Sequence, residues 1–171
     1  MPVPVPGPRP LLPSTLDPAP PYGLIELLFF AYRDFVGDPD RVLAEFGFGR
    51  AHHRVLHFVA RRPGLTVADL LDILGITKQS LNRVLKELIE KGFVEPRTGR
   101  SDRRQRHLHP TEAGRDLAGR MAALQGSRIR RALAEVSSGD EAAVEAFLFA
   151  MIEPSERPKV RGRLERAKLA P

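Results

Sequence analysis

Residues 66–92 read TVADLLDILGITKQSLNRVLKELIEKG and hold two short helical patterns separated by a tight turn. Thr66 and Asp69 have the Thr-x-x-Asp spacing of a capping box, which predicts the start of a first helix. Gly75 supplies its stop, because glycine readily adopts the left-handed conformation that ends helices. Thr77 then caps a second helix that ends at the last glycine of the stretch. The stretch therefore predicts two helices joined by a tight turn.

The second helix of this pair is amphipathic. Its apolar positions form one stripe, made of Leu81, Val84, Leu85, Leu88 and Ile89. Its polar side carries, together with the capping Thr77, the residues Lys78, Gln79, Ser80, Asn82, Arg83 and Lys86. Such a helix fits the major groove of B-DNA, where Gln79 and Arg83, four residues apart on one face, are able to make bidentate contacts with adenine and guanine. A solvated helix face is the alternative interpretation.

A basic hairpin is predicted next, with strands at residues 93–95 and 105–109 and a charged loop between them. Its arginines are Arg97, Arg100, Arg103, Arg104 and Arg106, against the single acid Asp102. A concentration of positive charge at a hairpin tip repels itself, so a purely structural reason for it is hard to find. Arginines at a protruding tip enter the negative minor groove or bind phosphates, which adds affinity and salt dependence. A solvated charged loop is the alternative.

Helical patterns precede this central part. Residues 22–36 are apolar nearly all round, so this helix must be covered by its own chain or by another subunit. Residues 37–39, Gly-Asp-Pro, are expected to end it, and a short separate segment is expected at residues 39–46. A further helix is predicted over residues 50–61, where Pro63-Gly64 then breaks the pattern.

After the hairpin a long helix is predicted over residues 112–136. Ser138 and Glu141 then start a last core helix, which ends before the next proline. Residues 156–168 contain six basic and two acidic side chains and form either a basic amphipathic helix or a solvated end, the second being favoured. Residues 1–21 contain nine prolines, so an extended arm or disorder is expected there.

Composition narrows the function classes. The 171 residues suffice for one domain with a real core, and 42% hydrophobic content is typical of a globular chain. The net charge of +6, with a pI near 10.3, favours a polyanionic partner. The absence of cysteine excludes disulfides, thiolate metal sites and thiol-based sensing. No Gly-rich phosphate loop, Gly-x-Ser-x-Gly turn or His-Glu-x-x-His motif occurs, which argues against an enzyme.

Neither a membrane span nor a secretory signal peptide is expected. No apolar run approaches the roughly 18 residues that a membrane span needs. The N-terminal residues lack the basic segment followed by an apolar one that marks a signal peptide. A cytoplasmic protein without a membrane partner is therefore expected.

Residues 50–115 resemble the MarR (multiple antibiotic resistance regulator) family of winged helix-turn-helix transcription regulators. The matching features lie at residues 67–71, 76–85, 88–94, 102–104 and 108–114. The most specific are the Asp-x-Arg pattern of the loop and the Leu-x-x-Thr-x-x-Gly start of the following helix. Flanking helices extend the match to about residues 22–152.

The resemblance implies a mainly α fold with a small β-hairpin wing and a helical dimerisation region built from N- and C-terminal helices. It divides the chain into a Pro-rich arm (1–21), a dimerisation helix and linker (22–49), a winged helix-turn-helix domain (50–110), C-terminal dimerisation helices (111–153) and a basic tail (154–171). It also implies a homodimer on a palindromic double-stranded DNA site, with repression favoured as the outcome. Asp102 would orient Arg104 toward the minor groove. A winged-helix module that binds protein or RNA is the alternative.

Many relatives release DNA when a small, often aromatic, molecule occupies a crevice between the dimer helices and the DNA-binding part. The candidate residues for such a site are Phe29, Tyr32, His52, His53 and His57, and the alternative is that the aromatic rings belong to the dimer core. His53 and His57 lie at i and i+4 and could share a metal ion or haem. Interface histidines and no cofactor are favoured, because no third ligand has an obvious spacing.

Overall fold

The computed structural model describes residues 19–98, 106–136 and 141–169. The chain divides into two compact units, residues 1–33 and residues 34–171. Within the described ranges the elements are α1 (Tyr22–Ala44), α2 (Arg50–Arg61), α3 (Val67–Leu74), α4 (Lys78–Glu90), β1 (Val94–Thr98), β2 (Arg106–Pro110), α5 (Glu112–Glu135), α6 (Glu141–Ala150) and α7 (Arg157–Leu169). The predicted mainly α fold with one β-hairpin is therefore confirmed, and none of the helices in these ranges is long and apolar enough to cross a membrane.

Helix α1 does not end where the sequence predicts. It continues through Gly37 and Pro39 to Ala44, so the expected break and the separate segment at 39–46 were wrong. Proline removes one helical hydrogen bond, but the side chains of Val36, Pro39 and Leu43 are all buried within the second unit, and burial offsets that loss. A pattern of neighbouring residues does not show this burial, so it could not predict that the helix continues.

An ion pair holds the C-terminal half of α1 to α5. The Arg128 guanidinium donates from Nε and Nη2 to Asp38 Oδ2, at 3.2 and 2.8 Å. Arg41 pairs with the other carboxylate oxygen of Asp38. These hydrogen bonds and charges, Arg128 first, hold the pKa of Asp38 below its ordinary value. The contact attaches the part of α1 that lies in the second unit to α5.

The N-terminal half of α1, in the first unit, leaves its apolar side chains accessible. Their exposed fractions lie between 43% and 66% for Tyr22, Leu24, Ile25, Leu27, Leu28, Phe29, Phe30 and Tyr32. An apolar surface of this size is unusual for a helix that stays in contact with water.

The core of the second unit is formed by the C-terminal half of α1, by α2, α3, α4 and α5, and by the hairpin. Its fully buried side chains include Leu56, Leu70, Leu81, Leu88, Leu108 and Met121. An aromatic group of Phe46, Phe48 and Phe93 extends it, with ring centroids 5.2 to 6.3 Å apart. Each buried leucine contributes about 1.5–3 kcal/mol, so this packing sets the position of α4.

The start of α5 explains the Thr-x-x-Gly motif. Thr111 Oγ1 donates to Gly92 O at 2.6 Å and accepts from the backbone N–H of Gly114 at 3.0 Å. The backbone N–H of Thr111 donates to Phe93 O at 3.2 Å. A Cβ at Gly114 would overlap that same carbonyl oxygen and lie 3.0 Å from its carbon. The motif therefore joins the end of α4 to the start of α5 at a separation that only glycine permits.

Two C-terminal predictions need correction. Helix α6 forms as expected, but none of its described residues is buried, so it is not a core helix within this chain. Ser138, its predicted cap, lies outside the described residues. The favoured solvated end is also wrong, because the segment folds into α7. The sequence did not reveal that α7 makes ion pairs with α3, 87 to 91 residues away along the chain.

Candidate nucleic-acid interface

The predicted caps set the position of the helix pair. Thr66 Oγ1 accepts from the Asp69 N–H at 3.2 Å, and Asp69 Oδ2 accepts from the Thr66 N–H at 2.8 Å. Gly75 ends α3 with a φ of 61°, in the left-handed region. Thr77 Oγ1 accepts from the Ser80 N–H at 3.2 Å and begins α4. Only three residues separate the two helices, which confirms the tight turn.

The two faces of α4 differ as the sequence predicts. Leu81, Val84, Leu85 and Leu88 are buried and at most 6% exposed. All the candidate DNA contacts at the helix are exposed, namely Thr77, Lys78, Gln79, Ser80, Asn82, Arg83 and Lys86. Core packing thus holds the back of α4 while its polar face, including Gln79 and Arg83, is available to a partner.

The hairpin is the edge of a small sheet. Strands β1 and β2 are antiparallel, with Pro96 opposite Leu108, and Leu65 bridges to Leu108 on the other side. The N–H and C=O of Leu108 bond to Leu65 O and Gly64 N, at 2.8 Å each. The Pro96–Leu108 pair is therefore not hydrogen-bonded, so the missing proline N–H costs the ladder nothing. This is why β1 extends to Thr98 instead of ending at residue 95.

The wing arginines fall into two groups. Arg97 lies in β1 and donates from Nε and Nη2 to Glu95 Oε1 at 2.9 and 2.6 Å, so its charge is paired within the strand. Arg106 begins β2 and is exposed. The remaining wing candidates, Arg100, Asp102, Arg103 and Arg104, lie outside the described residues, and the proposed contact between Asp102 and Arg104 stays a prediction.

A groove lies between α4, the second helix of the pair, and the β2 strand of the hairpin. It has a volume of about 480 Å³ and is lined by Lys78 and Asn82 of α4, Arg106 of β2 and the N-terminal end of α3. The groove is open, and two of its three long polar side chains are cationic. This arrangement suits an anionic ligand with hydrogen-bonding edges, which is the chemistry of a nucleic-acid duplex.

Comparisons with known proteins agree with this geometry. The MarR family model matches residues 46–105. The HTH-type transcriptional regulator PetP of Rhodobacter capsulatus is 50% identical over 133 residues, which cover 78% of this chain and 80% of PetP. The chain belongs to the MarR family. It is therefore a winged helix-turn-helix transcription regulator and not an enzyme.

Solved structures show the same MarR fold. Streptococcus pneumoniae FabT in complex with DNA matches with a TM-score of 0.68 and 18% identity, over 76% of this chain and 93% of FabT. A Mycobacterium tuberculosis MarR family protein in complex with p-aminosalicylic acid matches with a TM-score of 0.53 and 25% identity, over 73% of this chain and 95% of that one.

Among the candidate effector residues of this MarR-family chain, His52 has a structural role. Its Nδ1 accepts from the Gly49 N–H at 3.1 Å, and its Nε2 therefore carries the proton that it donates to Glu87 Oε2 at 2.9 Å. Its ring stacks on Phe48 with centroids 4.6 Å apart. Both ring nitrogens are thus occupied: Nδ1 caps the start of α2, and Nε2 joins α2 to α4. His52 and Glu87 are 35 residues apart, so no local pattern could have predicted this contact.

His53 and His57 lie on α2 with perpendicular rings whose centroids are 6.3 Å apart. His53 is 9% exposed, and burial lowers the pKa of both imidazoles, with nearby cationic groups acting in the same direction. Among the residues that the structure describes, no three His, Asp or Glu side chains are grouped as a metal site requires. Phe29 and Tyr32 lie in the first unit and are 63% and 45% exposed. The effector site and the metal hypothesis stay predictions.

Buried His53 and half-buried His57 predict a loss of stability in acid. A lowered folded-state pKa means that the unfolded chain binds more protons between that pKa and about 6.5, so the stability present above pH 6.5 is lost as the pH falls below it. We expect the urea midpoint to fall between pH 7.5 and 5.5, and to fall less in His53→Gln. An equal fall in the variant and the wild type would contradict this role.

Proposed function

We propose that this chain acts as a homodimer that binds a palindromic site in double-stranded DNA and regulates transcription from it, with repression as the favoured outcome. The observation that carries the proposal is the exposed polar face of α4 beside Arg106 at one groove. Membership of the MarR family and the 50% identity to a transcriptional regulator support it. The compartment that this function requires is the cytoplasm.

The apolar surfaces support the homodimer. The N-terminal half of α1 exposes eight large apolar side chains, and α6 exposes Val144, Phe147 and Leu148. Apolar side chains of α5, α6 and α7 also line an open cleft of about 500 Å³. Interfaces of obligate homodimers resemble a domain core cut in half, and these surfaces have that character.

Charge and geometry indicate which side chains of the proposed interface contact bases and which contact phosphates. Gln79 and Arg83 read bases in the major groove, while Lys78, Ser80, Asn82 and Lys86 contact bases or phosphates. The wing arginines, Arg104 first, bind the minor groove or its phosphates. Arg97 adds less than the others, because Glu95 already pairs with it.

The test is selection from a random duplex library with the purified protein, followed by affinity measurements on the selected and a random duplex across salt concentrations. We expect a symmetric selected site, a preference over random duplex of about a thousandfold or more, and affinity that falls with salt. No preference for any duplex in dilute buffer would overturn the proposal. Tight binding to RNA or to a protein instead would favour the alternative winged-helix function.

A small-molecule effector without a resident cofactor completes the proposal. The M. tuberculosis MarR family protein was solved with p-aminosalicylic acid, so aromatic acids are the first class to add to the same DNA-binding assay. Loss of the selected duplex on addition, with the loss weakened in His53→Gln or His57→Gln, would support the residues named above. A change in the visible spectrum when haem is added to the wild type, and no such change with the two histidine variants, would favour the haem-responsive alternative.

A further inference from the structure

One acid of the helix-turn-helix contacts α7. Asp72 lies on α3, where its Oδ1 accepts from Lys159 Nζ at 3.3 Å and its Oδ2 accepts from Arg163 Nη2. The Arg163 side chain is only 15% exposed, so it is held in this position instead of extending into water. Asp72 does not line the groove between α3, α4 and β2. Its charge is therefore directed at α7 and not at the proposed DNA site.

A second contact attaches α7 to the end of α2. Arg62 Nη2 donates to the backbone carbonyl of Arg163 at 3.2 Å. The Arg62 guanidinium also lies over the Phe58 ring, 5.8 Å from its centroid. We call the four residues Arg62, Asp72, Lys159 and Arg163 the α3–α7 contact. It joins one turn of α7 to α3 and to the C-terminal end of α2, the two helices that come directly before α4.

The other end of α7 is attached to α6. Arg157 Nε donates to Ile152 O at 2.9 Å, and its Nη2 donates to Ala150 O at 2.5 Å. Ala150 is the last residue of α6, and Ile152 lies two residues beyond it. A cation stabilises the carbonyls at such a helix end both by hydrogen bonds and by the helix dipole. Helix α7 thus connects α6, in the proposed dimerisation region, to α3, in the DNA-binding part.

We propose that Asp72 is a positioning residue for DNA binding, which holds α7 between α6 and α3 and thereby fixes the direction in which α4 is presented. This inference rests on the proposed function. Apart from α7, the C-terminal helices are joined to the DNA-binding part through α5, whose buried Leu117 and Met121 pack in the core with α2 and β2. The attachment through α7 restricts rotation of the DNA-binding part about its attachment to α5. When this rotation is restricted in both subunits of the proposed dimer, their two α4 helices fit fewer separations between half-sites.

The test substitution is Asp72→Asn, which removes the charge from an exposed position without changing the shape of the side chain. The matched control is Asp116→Asn on α5, which makes the same change of net charge at an exposed acid that pairs with no other described residue. Each protein is measured on the duplex selected for the wild type, on a random duplex, and on duplexes with one or two base pairs inserted between the half-sites.

We expect Asp72→Asn to lower the ratio of selected to random affinity about fivefold and to weaken the preference for the native spacing, whereas Asp116→Asn changes neither. A residue with a merely structural role would lower thermal stability and leave the spacing preference unchanged. Charge reversal provides the rescue: Asp72→Lys combined with Lys159→Glu and Arg163→Glu restores the preference, and Asp72→Lys alone does not.

Amide exchange in α7 separates the failure of this inference from the failure of the proposed function. The amide hydrogens of α7 should exchange faster in Asp72→Asn than in either the wild type or Asp116→Asn, both with and without DNA. If the wild type selects no duplex, the proposed function fails and exchange still tests the contact. Unchanged exchange, or a spacing preference equal to that of the control, would overturn the role of Asp72.

Discussion

Gly114→Ala is expected to lower the free energy of unfolding by about 3 kcal/mol or more. The added Cβ would overlap the carbonyl oxygen of Phe93 and lie 3.5 Å from a methyl group of Leu56, with backbone on one side and core on the other. Alanine in a helix interior otherwise gains about 1 kcal/mol over glycine, so the clash must outweigh that gain. Relief requires α5 to move away from the wing, which breaks the hydrogen bond from Thr111 N to Phe93 O.

The control for this substitution lies on the same helix. A methyl group added at Gly119 would have nothing within 4 Å of it, so Gly119→Ala should raise stability by up to about 1 kcal/mol. Both variants and the wild type are unfolded in urea at one protein concentration, because dimerisation makes stability depend on concentration. Equal effects of the two substitutions on stability would show that the space between α5 and the wing can accommodate a methyl group at position 114.

Arg83→Ala is expected to cost about 1–3 kcal/mol of affinity for the selected duplex and to relax the preference at one base pair of each half-site. Arg83 is exposed on α4 while its neighbours Val84 and Leu85 are buried, so the truncation removes a base contact without disturbing the core. Affinity for random duplex should fall much less, because phosphate contacts made by the other cations remain.

Two further variants make this result specific. Arg104→Ala, in the wing loop, should weaken binding to every duplex and flatten the dependence on salt. Arg131→Ala, on α5, removes the same charge at an exposed arginine and should leave the base preference unchanged. Sequence-independent losses of equal size from Arg83→Ala and Arg104→Ala would count against the assigned roles.

The parts of the fold that sequence reasoning predicted depend on short-range physics. Thr66 and Thr77 cap the helices that follow them, and the stripe that includes Leu81 is buried, because these effects act within one or two turns of a helix. The parts it missed depend on distant partners. Pro39 stays helical because it packs into the core, and α7 contacts α3 through the pair of Lys159 with Asp72, 87 residues away along the chain.

The candidate interface divides in the same way. The exposed face of α4 could be predicted from periodicity, since the apolar stripe determines which residues remain outside. The pairing of His52 with Glu87 could not, because the two residues are 35 positions apart. The pairing of Arg97 with Glu95 was missed because the predicted strand ended at residue 95, whereas β1 continues and places both residues on one face. These contacts remove one arginine and one histidine from the side chains most available to ligands.

The position of Pro96 has a consequence for solubility. Within the described residues, no strand pairs with the outer edge of β1, and such an edge is a template on which another chain can add a strand. At Pro96 the donor that would face such a strand is missing, so a growing ladder would be interrupted in the middle of β1. Pro96 therefore makes the outer edge of β1 a poor template for a strand from another copy of the protein.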